Sequence, residues 1–262
     1  MDSGIIYVAT GKKYCAEANI SAESVRSVMP DIPITIFTDN RDEIKSNFFG
    51  AIEIIEEPSF SFFDKIKPLA QSPYRKTLFL DTDTFVLEPV YELFQVLDRF
   101  ELTYCQAPGR GFDNPKLLAE CPLAFVEPNT GVMSYLNNSR INKLFYEWFD
   151  YYRTLLAEVP RKITHDQPAL RKVLYDSNIR ALVLPPEYNF RTVYPAFKGK
   201  MPVKILHGRE PTLSRATKIL KRQTKPGIAV YDFRDPKWVK AWRANIARNQ
   251  KRIERLMQKI FA

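Results

Sequence analysis

The chain has 262 residues, of which 45% are apolar and 13% aromatic, and a formal net charge of +9. That length and apolar content can bury the core of a full α/β domain, which excludes a disordered chain. Three widely spaced cysteines, Cys15, Cys105 and Cys121, argue against a disulfide framework or a zinc module and fit a reducing compartment.

Taken in chain order, residues 5–9 read as a strand, 16–28 as a helix, 34–37 and 52–55 as strands, and 63–71 as a helix feeding a strand at 77–80. Residues 101–105 and 131–135 read as strands and 141–156 as an aromatic-rich helix. Asp166 is placed to cap a further helix, with Pro168 in its first turn. Strands at 179–184 and 203–206 complete the set. This alternation predicts a mostly parallel, Rossmann-like α/β sheet with helices on both faces. Ligands of such sheets sit at the carboxyl ends of the strands, where Ala9-Thr10-Gly11, Thr38-Asp39-Asn40 and Asp81-Thr82-Asp83 fall.

The run Leu78-Phe79-Leu80-Asp81-Thr82-Asp83 is the most informative of these. Two carboxylates one residue apart at the end of a buried strand repel each other and lose hydration, so a divalent cation between them is the natural partner. Alternation along an extended strand predicts both carboxylates on one side, with Thr82 on the other. A second polar residue past an apolar run, His207, ends the last strand.

An ordered series then stands along residues 4–208. It comprises Val8-Ala9-Thr10 and Tyr14, Lys65 sixteen residues ahead of Asp81, Leu80-Asp81-Thr82-Asp83-Thr84, and Asn129-Thr130-Gly131-Val132. Asp166-Gln167, Leu184-Pro185 with Tyr188-Asn189, and Leu206-His207-Gly208 follow. In order and spacing this series resembles the GT-A-type glycosyltransferases, in particular glycosyltransferase family 8, the group of glycogenin and bacterial lipooligosaccharide galactosyltransferases.

The resemblance implies a GT-A catalytic domain over residues 1–208. That domain would move a sugar from a nucleoside-diphosphate donor, UDP by preference and with retention, to a glycan or lipid-linked acceptor. It implies that Asp81, Asp83 and His207 hold Mn²⁺, with Mg²⁺ as the alternative, and that Lys65 assists at the phosphates. Ala9 and Thr10 would border the base, Tyr14 would stack on it, and Asp81 would also approach the ribose. Asn129 and Gly131 would line the donor-sugar pocket. Asp166 would accept sugar hydroxyls, Gln167 would lie near the anomeric carbon, and the two form the implied catalytic pair. One departure stands out: the family's Gly-x-x-Lys-Pro-Trp type of ending is replaced by Arg209-Glu210-Pro211-Thr212. Arg209, Arg215 or Lys218 would then replace its phosphate-contacting lysine.

Two alternatives compete. Haloacid-dehalogenase-type phosphatases also place Asp-x-Asp after a strand, but Phe85 stands where their pattern wants Thr or Val. A non-catalytic nucleotide- or polyanion-binding module is suggested by the charge distribution. Residues 198–262 hold 18 Lys/Arg against 4 Asp/Glu, while the preceding residues hold 21 against 26. No familiar nucleic-acid motif accompanies that charge, so nucleic acid is not an expected partner.

Residues 209–262 read as a basic extension. From Trp238 onward, Trp242, Ile246, Ile253, Leu256, Met257 and Ile260 recur at helical spacing among lysines and arginines, which predicts an amphipathic helix. Such a helix packs on the domain or on a second copy of the chain, or docks on an anionic membrane surface. No run of about 18 apolar residues occurs and no signal-like segment opens the chain. The expectation is a cytoplasmic protein, peripheral on the inner membrane face if the helix docks there.

Overall fold

The computed structural model describes residues 2–110, 121–159, 165–221 and 228–233. Its main sheet has seven strands in the order β3-β2-β1-β4-β7-β6-β8: β1 (Ser3–Ala9), β2 (Ile34–Thr38), β3 (Ala51–Ile54), β4 (Lys76–Leu80), β6 (Leu102–Gln106), β7 (Pro128–Leu136) and β8 (Ala181–Leu184). β7 runs antiparallel to both its neighbours, and every other pairing is parallel. Six strands therefore end at the same edge, and the start of β7 lies among those ends.

The strands of a sheet covered on both faces must be apolar on both, and β1 is. Ile5 and Tyr7 enter one buried cluster and Ile6 the other. The first cluster is covered by α1 (Lys12–Val28). The second is covered by α2 (Phe63–Leu69), α4 (Ser139–Glu158) and α5 (Gln167–Asp176), while α3 (Glu92–Gln95) closes the first near β4. α4 forms because Ile141, Leu144, Phe145, Trp148, Tyr152 and Leu155 repeat at three- and four-residue intervals and are all buried. Asn138 caps it, its side chain accepting from Ile141 N–H at 3.0 Å.

A smaller layer carries one side of the site. β5 (Thr84–Val86), β11 (Ile205–His207) and β9 (Phe190–Arg191) form a three-stranded sheet, and β10 (Ala196–Lys198) pairs with β12 (Ala229–Tyr231). α6 (Thr212–Leu220) and β12 belong to the segment the sequence assigns to the basic extension. They lie against this layer through Leu213, Ala216, Leu220 and Tyr231, with Phe233 beside them and Phe190 and Leu206 opposite. The amphipathic repeat from Trp238 to Ile260 lies outside the described residues. Among the described residues no helix is long and apolar enough to cross a membrane.

Candidate active site

β2 and β4 flank β1 on opposite sides, so the chain passes in different directions from β1 and opens a crevice at the carboxyl ends of β1 and β4. A cavity of about 430 Å³ occupies that crevice.

The Asp81–Asp83 segment is a turn, not the extended strand end that alternation predicts. β4 stops at Leu80, and both the N–H and the hydroxyl of Thr84 donate to the Asp81 carbonyl, at 3.2 and 2.8 Å. The carboxylates still converge, because β5 pairs antiparallel with β11 and sets Thr84 opposite His207. Gly208 N–H donates to the Asp83 carbonyl at 2.9 Å, which fixes the two segments together.

His207 Nε2 lies 3.2 Å from Asp83 Oδ1 and 3.8 Å from Asp81 Oδ2, and one ligand atom from each of the three residues falls within 4.8 Å of the others. The ring is oriented from behind. Gly131 N–H donates to Asn129 Oδ1 at 3.1 Å, and Asn189 Nδ2 donates to the same oxygen at 2.7 Å. Asn189 Oδ1 is thereby turned to accept from His207 Nδ1, 2.7 Å away. With Nδ1 as the donor, Nε2 faces two carboxylates, and that geometry calls for a positive charge between them. Gly131 leaves the room, since a Cβ there would stand 2.0 Å from His207 Cε1 and 2.9 Å from Asp81 Oδ2. Two carboxylates and a pre-oriented imidazole form a donor set that can hold a divalent cation.

The two carboxylates differ. Burial raises the Asp81 pKa more than Lys65 and a protonated His207 lower it, whereas Asp83, also buried, is held well below the carboxylate range by His207 when its ring is protonated and then by Arg209 and Arg191.

Lys65, on the inner face of α2, is buried. Its ammonium lies 3.0 Å from Asp166 Oδ2 and 3.7 Å from Asp81 Oδ1, and donates to Thr130 Oγ1 at 2.9 Å. Burial disfavours its charge, but Asp166 and Asp81 more than compensate and raise its pKa. This changes the expected part of Asp166. Asp166 does occupy the N-cap position of α5, but in a helical conformation and without a side-chain capping bond. Its carboxylate is committed to Lys65 and Thr130, which outbid the helix N–H groups because they include a charge-assisted bond in a buried setting. Gln167 borders the cavity beside it.

Of the three cations considered for the late phosphate contact, Arg209 reaches the cavity. Its Nη1 lies 3.3 Å from Asp83 Oδ2, its Nε 3.0 Å from Glu17 Oε1, and its guanidinium 5.7 Å from the Tyr14 ring centroid. Arg215 turns to the Phe233 carbonyl, and Lys218 is exposed on α6. Tyr14 borders the cavity with 41% of its surface exposed.

Several residues sit one position away from expectation. Val8 and Thr10 border the cavity, whereas Ala9 faces the core with 1% exposure. Thr130 borders it, whereas Asn129 and Gly131 lie behind it in the His207 support. Asp39 accepts from Gly11 N–H at the start of α1, and Asn40 caps a short turn. Sequence reasoning did not find His165, Arg191 or the loop around Phe60, all of which border the cavity. That loop is tied down by Asp64, which accepts from the N–H groups of Ser59 and Phe60 and from the hydroxyl of Thr10.

The fold is that of the GT-A-type glycosyltransferases. The structure is similar to that of galactosyltransferase LgtC in complex with donor and acceptor sugar analogs, with a TM-score of 0.59 at 15% identity, over 87% of this chain and 98% of that one. An active-site mutant of LgtC, glutamine to glutamate, superposes with a TM-score of 0.57 at 16% identity over the same shares. No protein-family model matches the sequence. No curated protein matches it either.

Proposed function

We propose that this protein is a metal-dependent glycosyltransferase that moves a sugar from a nucleoside-diphosphate donor, UDP-linked by preference, to a hydroxyl of a glycan or lipid-linked acceptor. One observation carries the reading: Asp81, Asp83 and His207 converge at the carboxyl edge of a GT-A sheet, in a cavity also bordered by buried Lys65 and by Arg209.

Breaking the bond between sugar C1 and the diphosphate gathers negative charge on the leaving group. A divalent cation held by Asp81, Asp83 and His207 supplies Lewis-acid neutralisation of that charge when bound. Asn189 and Asn129 keep His207 in the tautomer that leaves Nε2 available. Lys65 and Arg209 add fixed positive charge on either side, pre-oriented by their carboxylate partners, so little reorganisation is needed as the charge develops. Tyr14 offers an exposed ring face for the base, and Asp166 and Gln167 border the part of the cavity assigned to the donor sugar. Lys65 bridges Asp166 to Asp81, so the sugar and phosphate parts of the site share one buried cation.

Thermal-shift screening of UDP, GDP and their sugars, each with and without Mn²⁺, tests the reading. A ligand at 100 times its dissociation constant adds about 2.7 kcal/mol of stability. UDP-sugars should stabilise the protein in a Mn²⁺-dependent way. Stabilisation by none of them, or hydrolysis of p-nitrophenyl phosphate with Mg²⁺ instead, would overturn it.

A further inference from the structure

Two of the cations bordering the larger cavity are paired, Lys65 with Asp166 and Asp81, and Arg209 with Glu17 and Asp83. Arg191 is different. Among the described residues its side chain makes no close ion pair and no hydrogen bond, its charge acts on Asp83 only at longer range, and its Nε is buried without a partner. A desolvated guanidinium donor left unpaired is costly, and it marks a place where an anion belongs.

The position of that place follows from the strands. β9 pairs in parallel with β11, with Arg191 opposite His207, so the two side chains rise on the same face. Arg191 also borders a second cavity of about 290 Å³, and among the described residues it is the one shared by the linings of the two. Among the described residues the second cavity's lining holds no other charged side chain, and its wall includes Val183, Pro186, Tyr194 and Phe197. Tyr194 and Phe197 are 47% and 53% exposed. Open aromatic faces receive the C–H face of a pyranose ring, and a guanidinium fork receives a carboxylate or phosphate in bidentate fashion.

We infer that the smaller cavity is the acceptor subsite and that Arg191 selects an acceptor sugar carrying a carboxylate or phosphate group. The word acceptor rests on the glycosyl-transfer reading above; the sugar-anion site does not. On the donor side Lys65 and Arg209 already supply positive charge. On the acceptor side Arg191 is the one charged residue among those described.

NMR of the arginine Nε–H groups tests this directly, with the Arg191→Gln variant identifying the Arg191 signal. The protein is saturated with UDP and Mn²⁺ and then titrated separately with glucuronate, glucose 6-phosphate and methyl glucoside. The Arg191 signal should shift with both anions and not with methyl glucoside. Arg191→Gln should bind the anions at least tenfold more weakly, with a smaller loss of UDP affinity. The proposal is overturned if the signal moves with UDP and then ignores both sugar anions, if Arg191→Gln loses as much affinity for UDP as for the sugar anions, or if inorganic phosphate shifts the signal as strongly as the sugar anions do. Failure of UDP to bind removes the donor reading, while the sugar-anion titration still reports on Arg191.

Discussion

Gly131 and His207 occupy space that only one side chain can fill: a Cβ on Gly131 would lie 2.0 Å from the imidazole Cε1 and 2.6 Å from Nδ1. The ring cannot swing clear without breaking its bond to Asn189. Gly131→Ala should therefore displace His207 and Asp81 together and abolish Mn²⁺ binding measured by calorimetry. The main sheet should persist, read by far-UV circular dichroism. A Gly131→Ala protein that binds Mn²⁺ normally would remove the triangle as the metal site.

Replacing the ligands themselves gives a graded test. Asp81→Asn, Asp83→Asn and His207→Ala should each weaken Mn²⁺ by more than about 100-fold, beyond the 10–100-fold expected for an outer-shell partner. Of the two carboxylates Asp81 has the raised pKa, so it is the one protons reach first as pH falls. Mn²⁺ affinity should accordingly fall with falling pH, and calorimetry in buffers of different ionisation enthalpy should register proton release on binding. Full Mn²⁺-dependent turnover in Asp83→Asn would sink the metal assignment.

Asn189 carries the orientation of His207 from outside the larger cavity, although it lines the smaller one. Asn189→Leu removes the acceptor for Nδ1–H and should cost about 10–100-fold in Mn²⁺ affinity. ¹⁵N spectra of the metal-free variant should show His207 no longer held in a single tautomer. An unchanged tautomer would mean that the relay through Asn129 does not set it.

The sheet was legible because its strands are apolar on both faces and its helices repeat at helical spacing, and the Asp81–Asp83 pair was legible because two charges interrupt an apolar run. The parts that escaped have physical reasons. β5, β9, β10 and β12 are two or three residues long, too short to establish a period of two. Arg191 reaches the cavity through the pairing of β9 with β11 and His165 through its place beside Asp166 ahead of α5, and no local pattern marks either. Ala9 against Val8 and Thr10, and Asn129 and Gly131 against Thr130, differ by single positions, and in a strand one position turns a side chain to the opposite face.

Lys65 and Asp166 form a buried ion pair whose partners cannot be removed singly without cost. Lys65→Met should destabilise the protein by about 3–5 kcal/mol in urea unfolding, because Asp166 is left charged and buried, and Lys65→Met/Asp166→Leu should recover most of that loss. Asp166→Asn should cut turnover far more than UDP affinity, since Asp166 is assigned to the sugar. Equal losses in both would place its effect at the phosphates, transmitted through Lys65 to Asp81.

Tyr231 and Phe233 are buried against Phe190, and removing them would uncover the layer that carries His207. A chain ending at residue 208 should lose Mn²⁺ binding, whereas one ending at 233 should keep it. Beyond 233 the sequence holds nine Lys/Arg against two Asp/Glu, with apolar residues at helical spacing among them. Each such cation near an anionic bilayer contributes roughly 1 kcal/mol. The full chain should therefore co-sediment with phosphatidylcholine vesicles containing phosphatidylglycerol at low salt. It should release as salt rises, and the chain ending at 233 should not bind. A full-length protein that stays in the supernatant at low salt would end the membrane reading and leave the apolar stripe to pack on protein.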